Sequence, residues 1–196
     1  MSQVINIFST PIFHTKLNTM CDDRIKMTLD LVSNYDYSGR EPATHSSIFH
    51  HPHLLDVKRE IQDLVLGFGK NVFNHLIDGI EITNSWSNNM FNGKSIDTHF
   101  HANSYISGSV YLSHGTPITF YDSNELFCIQ PKSIENEYKI SPSPGDLVLF
   151  PSKLKHGVHQ EENAPTRYSI AFNTFPTRNI DGVNSVDSFV KDPYFL

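Results

Sequence analysis

The sequence predicts an α+β protein, mainly β, built as an antiparallel sandwich or jelly roll with helices buttressing one face. Three observations predict it. Helical periodicity is confined to the N-terminal part of the chain. After Gly79 the hydrophobic period changes from that of a helix to that of a strand. Fourteen Phe and eight Tyr suit a β-rich interior.

The elements follow in order. VINIFSTPIFHTKL reads as a strand broken at Pro11. CDDRIKMTLDLVSNY reads as a helix, with Ile25, Leu29 and Leu31 near helical spacing and Asp22 and Asp23 at its start. Residues 38–53 are polar and turn-like, a loop. LLDVKREIQDLVLGFGKNVFNHLI is the clearest helix, with an apolar stripe of Leu54, Val57, Ile61, Leu64 and Phe68. Gly67 and Gly69 interrupt the pattern and leave its end open. Strands are predicted at IEITNSWSNNMF, HANSYISGSVYLS, ITFYD, DLVLFP, HGVHQ and RYSIAFNTF. Turn signals at Asn92-Gly93, Gly115 and Pro142 to Gly145 separate them. The expected organisation is a single domain: residues 1–76 as strand and helical support, 77–175 as the β core, and 176–196 as a polar tail packed outside.

Composition narrows the function. A chain of 196 residues with 38% hydrophobic and 18% charged residues is globular rather than disordered. A net charge of −6 argues against a surface built to grip phosphates, so nucleic acid is not an expected partner. Cys21 and Cys128 are far apart and form no metal or redox spacing. No segment reads as a signal peptide or a membrane span, so a cytoplasmic protein is expected, without a membrane partner.

Eleven histidines stand out, and their positions carry the chemistry. In Thr98-His99-Phe100-His101, two imidazoles at i and i+2 on an extended chain share a face and can converge on one ion. Asp97, at i−2 to His99, is a further candidate for that face. The run Pro144-Gly145-Asp146-Leu-Val-Leu-Phe-Pro151 is followed by His156, with His159 as its competitor. In Arg167-Tyr-Ser-Ile-Ala-Phe-Asn173, strand alternation puts Arg167, Ser169, Ala171 and Asn173 on one face and Tyr168, Ile170 and Phe172 on the other. An Arg there can pair with a carboxylate ligand in bidentate fashion. Tyr105, Ser107, Ser109 and Tyr111 share the parity of His99 and His101 if the chain stays extended, so a polar face would line a ligand-filled mouth. Each motif alone is also compatible with surface histidines or a solvated strand.

Together, SWSNNM, HFHANSYISGSVYL, GDLVLFPSKLKHGV and RYSIAFN resemble the 2-oxoglutarate/Fe(II) oxygenase superfamily, and most of all a subfamily of oxygenases from bacteria and tailed phages. These blocks cover less than half of the chain, from about Trp86 to Asn173. The resemblance implies a double-stranded β-helix, a cupin-like jelly roll. It implies Fe(II) held by His99 and His156, and 2-oxoglutarate paired through its far carboxylate with Arg167, with Ser169 or Tyr111 adding a hydrogen bond. The implied activity is a dioxygenase reaction, hydroxylation of an unidentified substrate with release of succinate and CO2. The superfamily pattern is HxD, whereas this chain has HxH. His101 is the expected third ligand, because its position relative to SGSVYL matches the subfamily, and Asp97 is held in reserve. A third imidazole leaves the site one unit more positive and admits other ions than iron.

His50, His51 and His53 form a second cluster, HHPH, read as an edge of the site's mouth rather than a metal site. His14, His45, His75 and His114 are read as structural or surface residues. Two rival readings remain at this level: a non-catalytic jelly-roll binding or structural module of phage type, and a three-histidine iron dioxygenase that uses no 2-oxo acid. Arg167 argues against the second, and a polar inner face argues against the first.

Overall fold

The computed structural model describes residues 9–33, 47–91, 93–122 and 137–178. The first residues of the expected N-terminal strand, most of the 38–53 loop, His45, Cys128 and nearly all of the expected tail lie outside the described residues.

Nine strands and two helices run in the order β1 (Phe13–Lys16), α1 (Asp22–Ser33), α2 (Leu55–Val72), β2 (Gly79–Met90), β3 (Ser95–His99), β4 (Ile106–Tyr111), β5 (Ile118–Tyr121), β6 (Glu137–Ile140), β7 (Asp146–Pro151), β8 (His156–His159) and β9 (Arg167–Arg178) among the described residues. Two antiparallel sheets form, a five-stranded one in the order β1-β7-β4-β9-β2 and a four-stranded one in the order β3-β8-β5-β6. Most neighbours in space are not neighbours in sequence, which is the jelly-roll topology the alternation predicted.

Three layers result. On its outer face the larger sheet carries Ile106, Val110, Leu112, Leu147, Leu149, Ile170 and Phe172, which pack against Val57, Ile61, Val65 and Phe68 of α2 and Ile25 and Val32 of α1. Its inner face carries Met90, Tyr111, Val148 and Phe150, which meet Ile118, Phe120, Ile140 and Val158 of the smaller sheet. The period-2 pattern of each strand therefore sorts side chains between a helix-facing core and an inter-sheet core. Glycine leaves room for its large cross-strand neighbours within the larger sheet. A Cβ at Gly108 would lie 2.6 Å from the Phe172 ring and 2.8 Å from a Leu149 methyl.

Several expectations are corrected. The end of the second helix, which the glycines left open, falls at Val72, and the helix runs through Gly67 and Gly69. Gly69 is needed there because a Cβ would meet the Tyr105 hydroxyl at 2.5 Å. HANSYISGSVYLS is not one strand: the chain turns at Ala102–Asn103, and β4 starts only at Ile106. The shared parity of His101 with Ser107 therefore does not come from one continuous strand. Two short strands escaped the pattern. β3 is exposed or half-buried throughout, and β6 is exposed except at Ile140, so neither shows a clean alternation.

Candidate metal centre

Two of the three histidines are cross-strand partners. β3 and β8 run antiparallel with His99 directly opposite His156, so their side chains leave the same face of the smaller sheet. Their ring centroids are 4.4 Å apart. His101 follows just beyond the end of β3, and its ring lies 5.1 Å from each of the other two. One ring nitrogen from each of the three lies within 4.8 Å of the others. His101 Nε2 and His156 Nε2 are 3.3 Å apart. Two nitrogens bound at right angles to one ion, each about 2.1 Å from it, would lie about 3 Å apart.

Backbone carbonyls fix which nitrogens face inward. His156 Nδ1 sits 2.9 Å from the carbonyl of Leu154, and His99 Nδ1 sits 2.8 Å from that of Asp97. A carbonyl only accepts, so each Nδ1–H donates and each Nε2 keeps a free lone pair. Burial holds the His156 pKa down at about 3, with further lowering from His99 and His101 and opposition from the Leu154 hydrogen bond. Burial likewise holds His101 at about 4, with a contribution from His99. These imidazoles are neutral near pH 7, the form that ligates a metal. Phe150 and Trp86 complete the surround, with ring centroids 4.5 Å from His156 and 5.9 Å from His101.

A second polar group is buried on the inner face of the larger sheet. Arg167 is 2% exposed and makes no ion pair among the described residues. Its Nη1 donates to Ser169 Oγ at 3.0 Å, and its guanidinium lies 4.9 Å from the Tyr111 ring centre. Among the described residues, Arg167 Nε and the Tyr111 hydroxyl are both buried without a hydrogen-bond partner. Burial pushes the Tyr111 pKa up, against the pull of Arg167, so the phenol keeps its proton. A buried cation beside idle donors has the chemistry to hold an anion. These groups fit a carboxylate, as the three imidazoles fit a divalent cation.

The sequence-predicted residues separate cleanly. His99, His101 and His156 are brought together, and Arg167, Ser169 and Tyr111 form a second group. Asp97 is exposed and outside the cluster. A register shift between Ile96 and His99 breaks the alternation that would have set its carboxylate beside His99. His159 is exposed and bonds the Tyr121 hydroxyl at 3.1 Å. The HHPH segment follows Phe49, which packs on Phe172 on the helix-facing side of the larger sheet. The sequence reading assigned no role to Trp86, Phe150, Ser152 or the Leu154 carbonyl. The odd-even parity of β7 could have found Phe150, but the backbone acceptors leave no mark in a sequence.

Comparison with known proteins bears on identity. A family model described as "Putative 2OG-Fe(II) oxygenase" matches residues 84–173. A PKHD-type hydroxylase of Prochlorococcus marinus (strain MIT 9301) is 31% identical over 168 residues, covering 78% of this chain and 72% of the relative. The chain belongs to the 2-oxoglutarate/Fe(II)-dependent oxygenase superfamily. Solved structures agree on the fold of this oxygenase. HygX from Streptomyces hygroscopicus, with nickel and 2-oxoglutarate bound, has a TM-score of 0.61 at 12% identity over 86% of this chain and 84% of its own. A Pseudomonas putida prolyl-4-hydroxylase has a TM-score of 0.55 at 15% identity, covering 87% and 90%. The oxygenase is thus a dioxygenase that uses Fe(II) and 2-oxoglutarate.

Proposed function

We propose that this oxygenase hydroxylates its substrate with iron held by His99, His101 and His156, and with 2-oxoglutarate anchored through its far carboxylate by Arg167. The observation that carries the reading is the pairing of two sites: three imidazole nitrogens within 4.8 Å of one another, and a buried guanidinium with no carboxylate partner among the described residues.

The chain's own groups have distinct tasks. Leu154 and Asp97 carbonyls orient two rings with Nε2 inward. The three imidazoles would hold the divalent ion between them. Arg167 and the protonated Tyr111 bind and orient the carboxylate, while Ser169 braces the guanidinium. Phe150, Phe120 and Trp86 exclude water from the imidazoles. Iron, when bound, supplies dioxygen activation coupled to oxidative decarboxylation of 2-oxoglutarate.

The relative's name, a hydroxylase of PKHD type, and the prolyl-4-hydroxylase neighbour make a peptidyl side chain such as proline the first substrate to test. The reading takes the enzyme to be cytoplasmic, within a bacterium or a phage-infected host. No described helix is long and apolar enough to cross a membrane. The net charge of −6 supports a substrate other than nucleic acid. The test is succinate release from 2-oxoglutarate under oxygen with Fe(II), with and without a proline-rich peptide. Wild-type protein should release succinate, and His156→Ala should release none. Failure of the wild type to bind Fe(II), Mn(II) or Ni(II) would sink the reading.

A further inference from the structure

His99 and His156 are fixed by sheet pairing, but His101 lies outside any strand, one residue before the Ala102–Asn103 turn. The turn is fastened at both ends by a single residue. The His101 backbone N–H donates to the Ser152 carbonyl at 2.8 Å. The Ser152 hydroxyl donates to the Ser104 carbonyl, at the other end of the turn. Ser152 is 4% exposed, and its own N–H donates to the Tyr105 carbonyl at 3.3 Å. Ser104 is tied down further: its Oγ lies within hydrogen-bond reach of the Thr174 carbonyl, of Ser107 Oγ and of the Thr174 N–H. Two residues beyond Ser152, the Leu154 carbonyl holds the His156 ring. One short turn, between β7 and β8, therefore holds the backbone of one imidazole and the side chain of another.

We propose that Ser152 is a positioning residue for the third imidazole, setting His101 against His156 through its hydroxyl bond to the Ser104 carbonyl. The inference rests on the reading of the three histidines as metal ligands. Groups that orient metal ligands typically change metal affinity by about 10- to 100-fold when removed. A loop ligand depends on such support more than a strand ligand, because nothing else in the sheet ladder fixes it.

The experiment measures Ni(II) and Co(II) dissociation constants for the full chain, with the Co(II) visible spectrum recorded alongside. Wild type, Ser152→Ala, His101→Ala and the double variant are compared. Ser152→Ala should raise Kd about 10- to 100-fold and alter the Co(II) spectrum. In the His101→Ala background the same change should add less than threefold, since the ligand it positions is gone. Ser152→Ala with wild-type Kd and spectrum and only a lower Tm overturns the proposal, as does a full additional loss in the His101→Ala background. Where Ser152→Ala does not stay folded, Ser152→Cys takes its place. A rise of fivefold or more supports the proposal, and no change overturns it. A wild type that binds neither metal, or a His101→Ala variant of unchanged affinity, instead removes the metal-site reading, and the inference falls with it.

Discussion

Replacing Arg167 with Met should move stability and cosubstrate binding in opposite directions. In the free protein the guanidinium is 2% exposed, has no carboxylate partner among the described residues, and leaves Nε without a hydrogen bond. An unmet buried group costs about 1–3 kcal/mol, more when charged, and an unpaired charge more still. Against that stand a hydrogen bond to Ser169 and the contact with the Tyr111 ring, each worth about 1 kcal/mol, and a weaker hydrogen bond to the Met90 sulfur. Met keeps the aliphatic packing and removes the charge. The expected net gain is about 1–2 kcal/mol, or about 2–8 °C in Tm for a chain of this size. With 2-oxoglutarate the sign reverses. Loss of one partner of a buried, hydrogen-bonded charge pair costs about 2–5 kcal/mol, which is about 30-fold to several thousand-fold in Kd. Scanning calorimetry of the metal-free protein reads the first effect. Titration of 2-oxoglutarate into Ni(II)-loaded protein under exclusion of oxygen reads the second. A variant that binds 2-oxoglutarate within threefold of wild type refutes the anchoring role. One that loses stability along with binding refutes the claim that the charge is unmet at rest.

Four further outcomes follow from the geometry. His101 and His156 have folded-state pKa values depressed to about 4 and about 3, so below pH about 6.5 the unfolded chain binds more protons than the folded one. Their contribution to stability is complete above that pH and is lost as pH falls through about 4 and then 3. Equilibrium urea unfolding across pH 7 to 4 should show the decline, and His156→Gln should flatten it. These two histidines also carry no proton for the metal to displace near neutrality. At pH 6 metal binding should release at most one proton, measured by calorimetry in buffers of different ionisation enthalpy, and two or more would contradict the burial argument. Asp97→Asn should leave the Ni(II) Kd within threefold of wild type, because Asp97 contributes its carbonyl and not its carboxylate; a tenfold loss would reinstate the carboxylate as a ligand. Gly69→Ala should destabilise by about 1–3 kcal/mol through overpacking on the Tyr105 hydroxyl. Tyr105→Phe should recover part of that loss in urea unfolding, and strictly additive effects would show that the hydroxyl is not the clash.

The sequence made the two faces of each long strand legible because both faces are committed. Ile170 and Phe172 must reach the helices, and Arg167 and Ser169 must not. The alternation of RYSIAFN therefore survives in the structure, as does the stripe Val57, Ile61, Phe68 on α2. Short edge strands left no such trace, since β6 buries only Ile140. The histidine pair was found by a parity argument that holds for only part of its length. His99 lies on β3, but His101 reaches the cluster from a turn held by Ser152. Parity also nominated Asp97, and a local register shift, invisible to period counting, removed it.

Among the described residues, the absence of a carboxylate from the imidazole cluster and the absence of one beside Arg167 belong to a single electrostatic arrangement. A neutral three-imidazole set would leave a divalent ion held there with its full charge, where an HxD set would cancel one unit. Arg167 adds a second positive charge in the same buried space between the sheets, again without compensation. Two uncompensated cations in a low-dielectric interior repel each other, and both are relieved by one doubly charged anion that reaches from one to the other. 2-Oxoglutarate has that charge, with a carboxylate at each end. The HxH departure therefore strengthens the case for a dicarboxylate cosubstrate: a site with this much unmet positive charge gains more from such a ligand than one that carries its own carboxylate.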